Sequence, residues 1–334
     1  MSQDNKKETE EITMVERDSS LDMTLRPSSW GEYIGQDGIK ENISILVNAA
    51  QERSQSPEHL LLYGPPGLGK TTLAHLVAGE TGGALKTTSG PAICRAGDLA
   101  ALLTNLSSGD ILFIDEIHRL NRVIEEMLYP AMEAGVLDII IGKGPSARTI
   151  QLDLPPFTLI AATTRVSMLS SPLRSRFSGG LFRLNYYTDD EICKIVSRSA
   201  EILGIDSDKD TLMIIASRSR NTPRIANYLL KRCRDFAQVN KKSMDKESVM
   251  RALELLRIDG AGLTEIDRSI LHTINSKFGG GPVGIGTISA SLSEEEATIE
   301  EVHEPFLLQK GFIERTPRGR SITLLGVKHL KSLE

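Results

Sequence analysis

The eight residues Gly64-Pro65-Pro66-Gly67-Leu68-Gly69-Lys70-Thr71 constrain this chain more than any other segment. They satisfy the spacing G-x-x-x-x-G-K-[ST]. They follow a short apolar run, His59-Leu60-Leu61-Leu62-Tyr63, and precede a stretch of helical periodicity from Thr71 to Gly79. Strand, glycine-rich turn and helix in that order build a phosphate-binding loop. The glycines turn successive backbone N–H groups toward an anion, and the helix adds its N-terminal partial positive charge. In such a loop Lys70 reaches the β- and γ-phosphates of a nucleotide and the Thr71 hydroxyl ligates Mg²⁺. The competing account is a chance glycine turn, which leaves the motifs below unexplained.

The first of these is Ile111-Leu112-Phe113-Ile114-Asp115-Glu116, a buried strand that delivers two carboxylates at its C-terminal end. That is the end at which parallel α/β sheets bind ligands. Asp115 is expected to hold Mg²⁺ through water and Glu116 to orient an attacking water, the requirement for ATP hydrolysis beyond binding. A solvated acidic strand end is the plain alternative. A third apolar strand, Phe157 to Ala162, ends in Thr163 and Thr164, either of which can sense a γ-phosphate or simply cap the strand. We take Thr163 as the sensing residue, while the pattern by itself does not separate the two.

Helical patterns at Ile39–Ala50, Asp98–Leu106 and Val123–Glu133 alternate with these strands, which predicts a parallel sheet covered by helices. The segment Leu137–Leu154 breaks the rhythm. Two strands flank the turn Gly142-Lys143-Gly144-Pro145, and Ile139, Ile140 and Ile141 make both faces of the first arm apolar. An inserted β-hairpin with such an excess of apolar surface points to a partner, unless another element covers it. After about Leu184 the strands stop. Thr188-Asp189-Asp190-Glu191 is a capping box opening the first of several helices, and a second, all-helical domain follows. From Thr264 short helices lead into two strands joined by Thr316-Pro317-Arg318-Gly319-Arg320, the pattern of a winged helix. The expected fold is thus an α/β P-loop domain with an inserted hairpin (23–184), a small helical lid (185–257) and a winged-helix head (258–334). Residues 1–22 read as a polar, disordered arm.

Three arginine clusters carry open questions. Arg174 and Arg176 follow a helical turn with no acidic partner near in sequence. They are either a finger inserted into a neighbour's site or a surface ion pair. Arg224, at the start of a helix behind Thr222-Pro223, reaches the nucleotide from the lid side or is merely solvated. Arg315, Arg318 and Arg320 crowd the wing, where they suit DNA-backbone phosphates or a solvated turn.

Composition narrows the classes. With 334 residues the chain has room for two or three cores. A net charge of −5 argues against general coating of nucleic acid, and 4% aromatics against a base-stacking platform. Three scattered cysteines, Cys94, Cys193 and Cys233, fit reduced thiols of a cytoplasmic protein. No apolar run is long enough for a membrane span, and the polar, acidic start is the opposite of a signal peptide.

Together these pieces resemble the AAA+ ATPases, and within them the RuvB family of Holliday junction branch migration motors. The resemblance spans about Leu25 to Thr323. It is carried by Leu25-Arg26-Pro27, the phosphate loop through Thr72, Asp115-Glu116-Ile117-His118-Arg119-Leu120 and Leu128-Tyr129-Pro130-Ala131-Met132-Glu133. It continues through Ala162-Thr163-Thr164-Arg165, Thr222-Pro223-Arg224, Phe278-Gly279-Gly280-Gly281-Pro282 and Arg315-Thr316-Pro317-Arg318-Gly319-Arg320. Asn221 stands where the family usually has glycine. Ser178-Gly179-Gly180 also departs from the usual pattern, which weakens the placement of Tyr187.

The resemblance implies a homohexameric ring around duplex DNA that acts on Holliday junctions in recombination, repair and the SOS response, with RuvA and RuvC as partners. It implies ATP contacts from Leu25, Arg26, Gly67, Lys70, Thr71, Thr72, Glu133, Arg174, Arg176, Tyr187 and Arg224. It further implies Arg176 as the trans finger, Arg315, Arg318 and Arg320 as DNA contacts, and Ile139, Ile140 and Ile141 as part of the RuvA-docking hairpin. A clamp-loader-like ATPase and an ATP-switched winged-helix regulator are the alternatives; the first lacks a wing, the second does not need Glu116.

Overall fold

The structure, a computed structural model, describes residues 23–141 and 148–333. The expected N-terminal arm (1–22), the hairpin turn, and the side chains of Ile140 and Ile141 lie outside the described residues. The chain forms two compact units. One runs to Ile195 and includes Thr222–Arg224; the other comprises Val196–Asn221 and the chain from Ile225 onward.

The first unit opens with helix α1 (Asp37–Glu52). Strand β1 (Leu60–Tyr63) feeds the phosphate loop and helix α2 (Lys70–Thr81). Then come β2 (Leu85–Ser89), α3 (Ala96–Thr104), β3 (Ile111–Asp115) and α4 (Arg122–Glu133). The hairpin β4 (Val136–Ile141) and β5 (Arg148–Asp153) precedes β6 (Thr158–Thr163), α5 (Ser171–Ser175) and β7 (Gly180–Arg183). The five main strands pair in the order β2-β3-β6-β1-β7, all parallel. The three inner strands are the three apolar runs of the sequence; β6 is buried along its whole length. The two edge strands were not anticipated. Their residues are exposed or half-buried, so neither shows the continuous apolar signal of a central strand.

The hairpin is a separate two-stranded sheet that pairs Ile139 with Ile150. Leu137 is fully buried and Ile139 packs partly against the core cluster of this unit, so these two residues hold the first arm at home. All six residues of β5 are exposed, including Ile150 and Leu152.

Helix α6 (Asp189–Ile202) runs from the first unit into the second. Its capping box is formed as expected: the Glu191 carboxylate accepts from Thr188 N at 2.7 Å, and Thr188 Oγ1 accepts from Glu191 N at 3.2 Å. Helices α7 (Lys209–Ser217), α8 (Pro223–Val239) and α9 (Lys246–Leu255) follow. The winged-helix portion has α10 (Glu265–His272), α11 (Ile285–Leu292), a π-helical turn Ile299–His303 leading into α12 (Glu304–Gln309), the wing strands β8 (Ile313–Thr316) and β9 (Gly319–Ile322), and α13 (Leu324–Leu333).

Most of the expected lid, Val196–Asn221 and the chain from Ile225, falls in one compact unit with the expected head, and specific contacts join them. The Arg220 guanidinium inserts beside the fully buried Asp267 and stacks 4.9 Å from the Phe306 ring. A Cβ on Gly262 would meet the Arg218 carbonyl at 2.9 Å, so the segment that joins lid and head is packed tightly. Gly281, just before the wing, is hemmed in as well: a Cβ there would lie 2.6 Å from the Arg320 carbonyl. Val283 and Arg320 exchange backbone hydrogen bonds of 2.8 Å, and a Cβ on Gly319 would lie 2.3 Å from the Val283 carbonyl.

Candidate nucleotide site and wing

The phosphate loop has the backbone its sequence requires. Gly64, Gly67 and Gly69 have φ of 141°, 79° and 98°, values that L side chains rarely adopt. Gly67 is also hemmed in: a Cβ there would sit 3.1 Å from the Cβ of Arg224, whose N–H donates to the Gly67 carbonyl at 3.4 Å. Lys70 is buried, and its ammonium donates to the carbonyls of Gly64 at 2.9 Å and Pro65 at 2.8 Å. Burial pushes its pKa down to about 8; Asp115 pulls upward and Arg224 adds to the lowering. Thr71 and Thr72 are half-buried on the first turn of α2.

Asp115 ends β3 and accepts a 2.9 Å hydrogen bond from the N–H of Glu116. Glu116 has a left-handed backbone, φ 48°, which turns it out of the strand into an exposed position, 3.5 Å from Arg119. A Cβ on Gly90 would meet the Glu116 carbonyl at 2.4 Å, so β2's following turn braces this corner. The loop glycines, a buried ammonium and a neighbouring carboxylate at the C-terminal edge of one sheet fit a Mg²⁺–nucleotide in residue type and placement.

The two threonines of β6 differ sharply. Thr163 is 1% exposed; its hydroxyl shares a 2.9 Å hydrogen bond with His118 Nδ1 and accepts from Arg165 N at 3.0 Å. Thr164 is exposed. His118 was assigned no role from sequence, yet it joins the turn after β3 to the end of β6.

Leu25 is buried, and Arg26 lies near His75 of α2, lowering its pKa together with burial. Tyr187 is buried despite the unusual glycines before it. Its hydroxyl donates to the Leu68 carbonyl and shares a hydrogen bond with the Tyr33 hydroxyl, both at 3.2 Å. A Cβ on Gly69 would touch the Tyr33 hydroxyl at 2.9 Å. Tyr33 therefore buttresses the loop, a role its surroundings in sequence did not signal. Asn221 takes the left-handed conformation expected of it, φ 55°, and Arg220 before it does too.

Arg176 has an acidic partner after all, distant in sequence. Its guanidinium lies 3.2 Å from Glu133, stacks 4.3 Å from the Tyr129 ring and donates to the Pro172 carbonyl at 2.7 Å. Arg174 is half-buried.

In the wing, Arg315 and Arg320 face each other across β8 and β9. Both are bound by Glu304, which is 2% exposed, and by Glu300. Arg318, at the tip, is exposed. No helix among the described residues is long and apolar enough to cross a membrane.

Comparison with known proteins matches all three portions of the chain to one family. Residues 25–183 match the Holliday junction DNA helicase RuvB P-loop domain, 187–259 the RuvB AAA lid domain, and 260–331 the RuvB C-terminal winged helix domain. The solved Thermotoga maritima RuvB Holliday junction branch migration motor is 47% identical over 92% of this chain and 98% of that chain, with a TM-score of 0.83. The chain belongs to the RuvB family. Two point mutants of the same T. maritima RuvB match at the same identity and coverage, with TM-scores of 0.84 and 0.82. As a RuvB-family protein it is a P-loop AAA+ ATPase that binds nucleotide, of the class of Holliday junction branch migration motors.

Proposed function

We propose that this chain is the ATP-driven DNA pump of a RuvA–RuvB–RuvC system, acting as a homohexameric ring in the cytoplasm during homologous recombination, DNA repair and the SOS response. The observation that carries the reading is the phosphate loop joined at one sheet edge to Asp115 and Glu116, in a chain that ends in an arginine-bearing wing.

The roles follow from position. The N–H groups of the loop and Lys70 bind the phosphates, while Leu25, Arg26 and Tyr187 border the base side. Thr71 and Asp115 would hold Mg²⁺, with Thr72 beside them. The metal, when bound, screens the phosphate charge. Glu116 orients and deprotonates the attacking water. Thr163, tied to His118, positions the strand end, and the exposed Thr164 is the better-placed sensor of the γ-phosphate. Arg224 contacts nucleotide from the lid side. Arg176, with Arg174 and Glu133 nearby, acts on the neighbouring subunit's ATP. The exposed face of β5, with Ile150 and Leu152, joins Ile139, Ile140 and Ile141 of β4 in docking RuvA. Arg315, Arg318 and Arg320 grip the duplex backbone.

The deciding experiment is ATP-driven movement of a synthetic four-way junction with and without RuvA. Movement that needs both ATP and RuvA is expected. ATP hydrolysis without any junction movement, under conditions where RuvA binds the junction, would overturn the motor reading.

A further inference from the structure

Among the described residues, Arg315 and Arg320 are both ion-paired, unlike the exposed Arg318 at the tip of the wing. Arg315 gives Nε and Nη2 to the two oxygens of Glu304 at 2.6 and 2.9 Å. Arg320 gives its Nε and Nη2 to the same two oxygens, both at 2.9 Å. One carboxylate thus receives two bidentate forks, the strongest geometry available to such pairs. Burial pushes the Glu304 carboxyl up, but the hydrogen bonds from Arg315 and Arg320 outweigh it and hold it below the usual range. Two like charges directly opposite across a strand pair would otherwise repel, and Glu304 is what lets them stand together.

Glu300 is a different kind of partner. It lies one turn earlier, on the π-helical stretch, and its side chain is 47% exposed against 2% for Glu304. A single oxygen, Oε1, accepts from Arg315 Nη2 at 2.9 Å and from Arg320 Nη2 at 3.3 Å. A phosphate oxygen carries the charge and acceptor capacity to take the place of that bridging carboxylate oxygen. With Glu300 in place the four side chains are neutral in sum; with it withdrawn they carry one net positive charge. A half-exposed pair of this kind costs little to open.

We propose that Glu300 is a built-in competitor for the phosphate site of the wing. It occupies the outer Nη2 groups of Arg315 and Arg320 when DNA is absent, and a duplex phosphate displaces it on binding. The proposal rests on the reading of the wing as a DNA contact. Glu304 is the positioning residue that keeps both forks aimed in either state, and Glu300 sets how easily the wing lets go. A motor that grips and releases at every step needs such a weakened grip.

The test uses the full chain and a fluorescently labelled duplex, with dissociation constants from anisotropy across a salt series. Glu300→Gln should tighten binding roughly two- to tenfold with the salt slope unchanged, because the number of phosphates contacted stays the same. Glu314→Gln is the control: it removes one exposed wing carboxylate that is ion-paired with neither arginine among the described residues, and it should change binding less than twofold or so by general charge alone. In an Arg315→Ala background the gain from Glu300→Gln should shrink, which a role in folding alone would not produce. Equal effects of the two glutamine variants would overturn the proposal while leaving the wing as a DNA contact. Unchanged DNA binding by Arg315→Ala would instead remove the DNA reading itself.

Discussion

Lys70 shows how one residue's surroundings set the behaviour of a site. With its pKa pushed down to about 8 by burial, the free protein loses the ammonium proton as pH rises through that value. A bound phosphate restores the preference for the charged form. Binding above pH 8 therefore takes up a proton, and affinity should fall by up to about tenfold per pH unit. Calorimetric titration with a slowly hydrolysed ATP analogue between pH 7 and 9.5 checks this; a flat affinity would contradict it. Lys70→Ala should abolish ATP binding at any pH. Gly67→Ala tests the loop itself. The left-handed backbone alone costs roughly 1–2 kcal/mol, and the new methyl presses on Arg224. Lower thermal stability together with weakened nucleotide binding is expected; a variant that binds ATP normally would show that the loop tolerates a Cβ there.

Among the elements, the contact between Arg220 and α10 is the clearest structural hinge-pin. Asp267, which has no solvent exposure, accepts from Thr264 N at 2.7 Å, pairs with His303 at 2.7 Å and holds the Arg220 guanidinium. Burial pushes its carboxyl up, yet the His303 hydrogen bond, Arg220 and Thr264 outweigh that and leave it below its ordinary value. Its stabilising contribution is then complete above the unfolded carboxylate range and is lost as pH falls through and below that range. Asp267→Ala leaves a buried guanidinium unpaired and should cost about 3–5 kcal/mol, read as a shift in the denaturant midpoint at pH 7 that narrows toward pH 3. An unchanged midpoint would mean that water replaces the carboxylate. None of this was legible in the sequence, because Arg220, Asp267 and His303 are far apart along the chain and each alone looks like a surface residue. The same holds for Arg176 and Glu133. What could be read were features that local chemistry dictates: the glycine loop, the central strands, the capping box at Thr188 and the wing turn. Edge strands β2 and β7 escaped notice because half-exposed strands need little apolar sequence, and they find their place by pairing with neighbours.

At the scale of the whole molecule, the candidate nucleotide site brings together Asp115, Glu116 and the phosphate loop of one chain, while the proposed finger, Arg176, is folded onto Glu133 and Tyr129 of its own chain. Arg176→Ala should bind ATP normally yet lose roughly 10³ to 10⁵ in turnover. Mixing Arg176→Ala with Glu116→Gln chains should restore some activity, since a junction between the two kinds can contain one intact site. No recovery at any mixing ratio would place the finger in cis. Turnover per chain should also climb with chain concentration, measured by phosphate release over a dilution series.

The pairing of Arg176 with Glu133 also bears on inheritance. If each chain lends its finger to a neighbour, a defective copy spoils a site that is genetically wild type. A cell carrying both alleles would then make mixed assemblies in which each Arg176→Ala chain removes one site, and that site belongs to its neighbour. A Lys70→Ala chain with its finger intact would also remove one site, but its own, so the two alleles differ in whose site is lost.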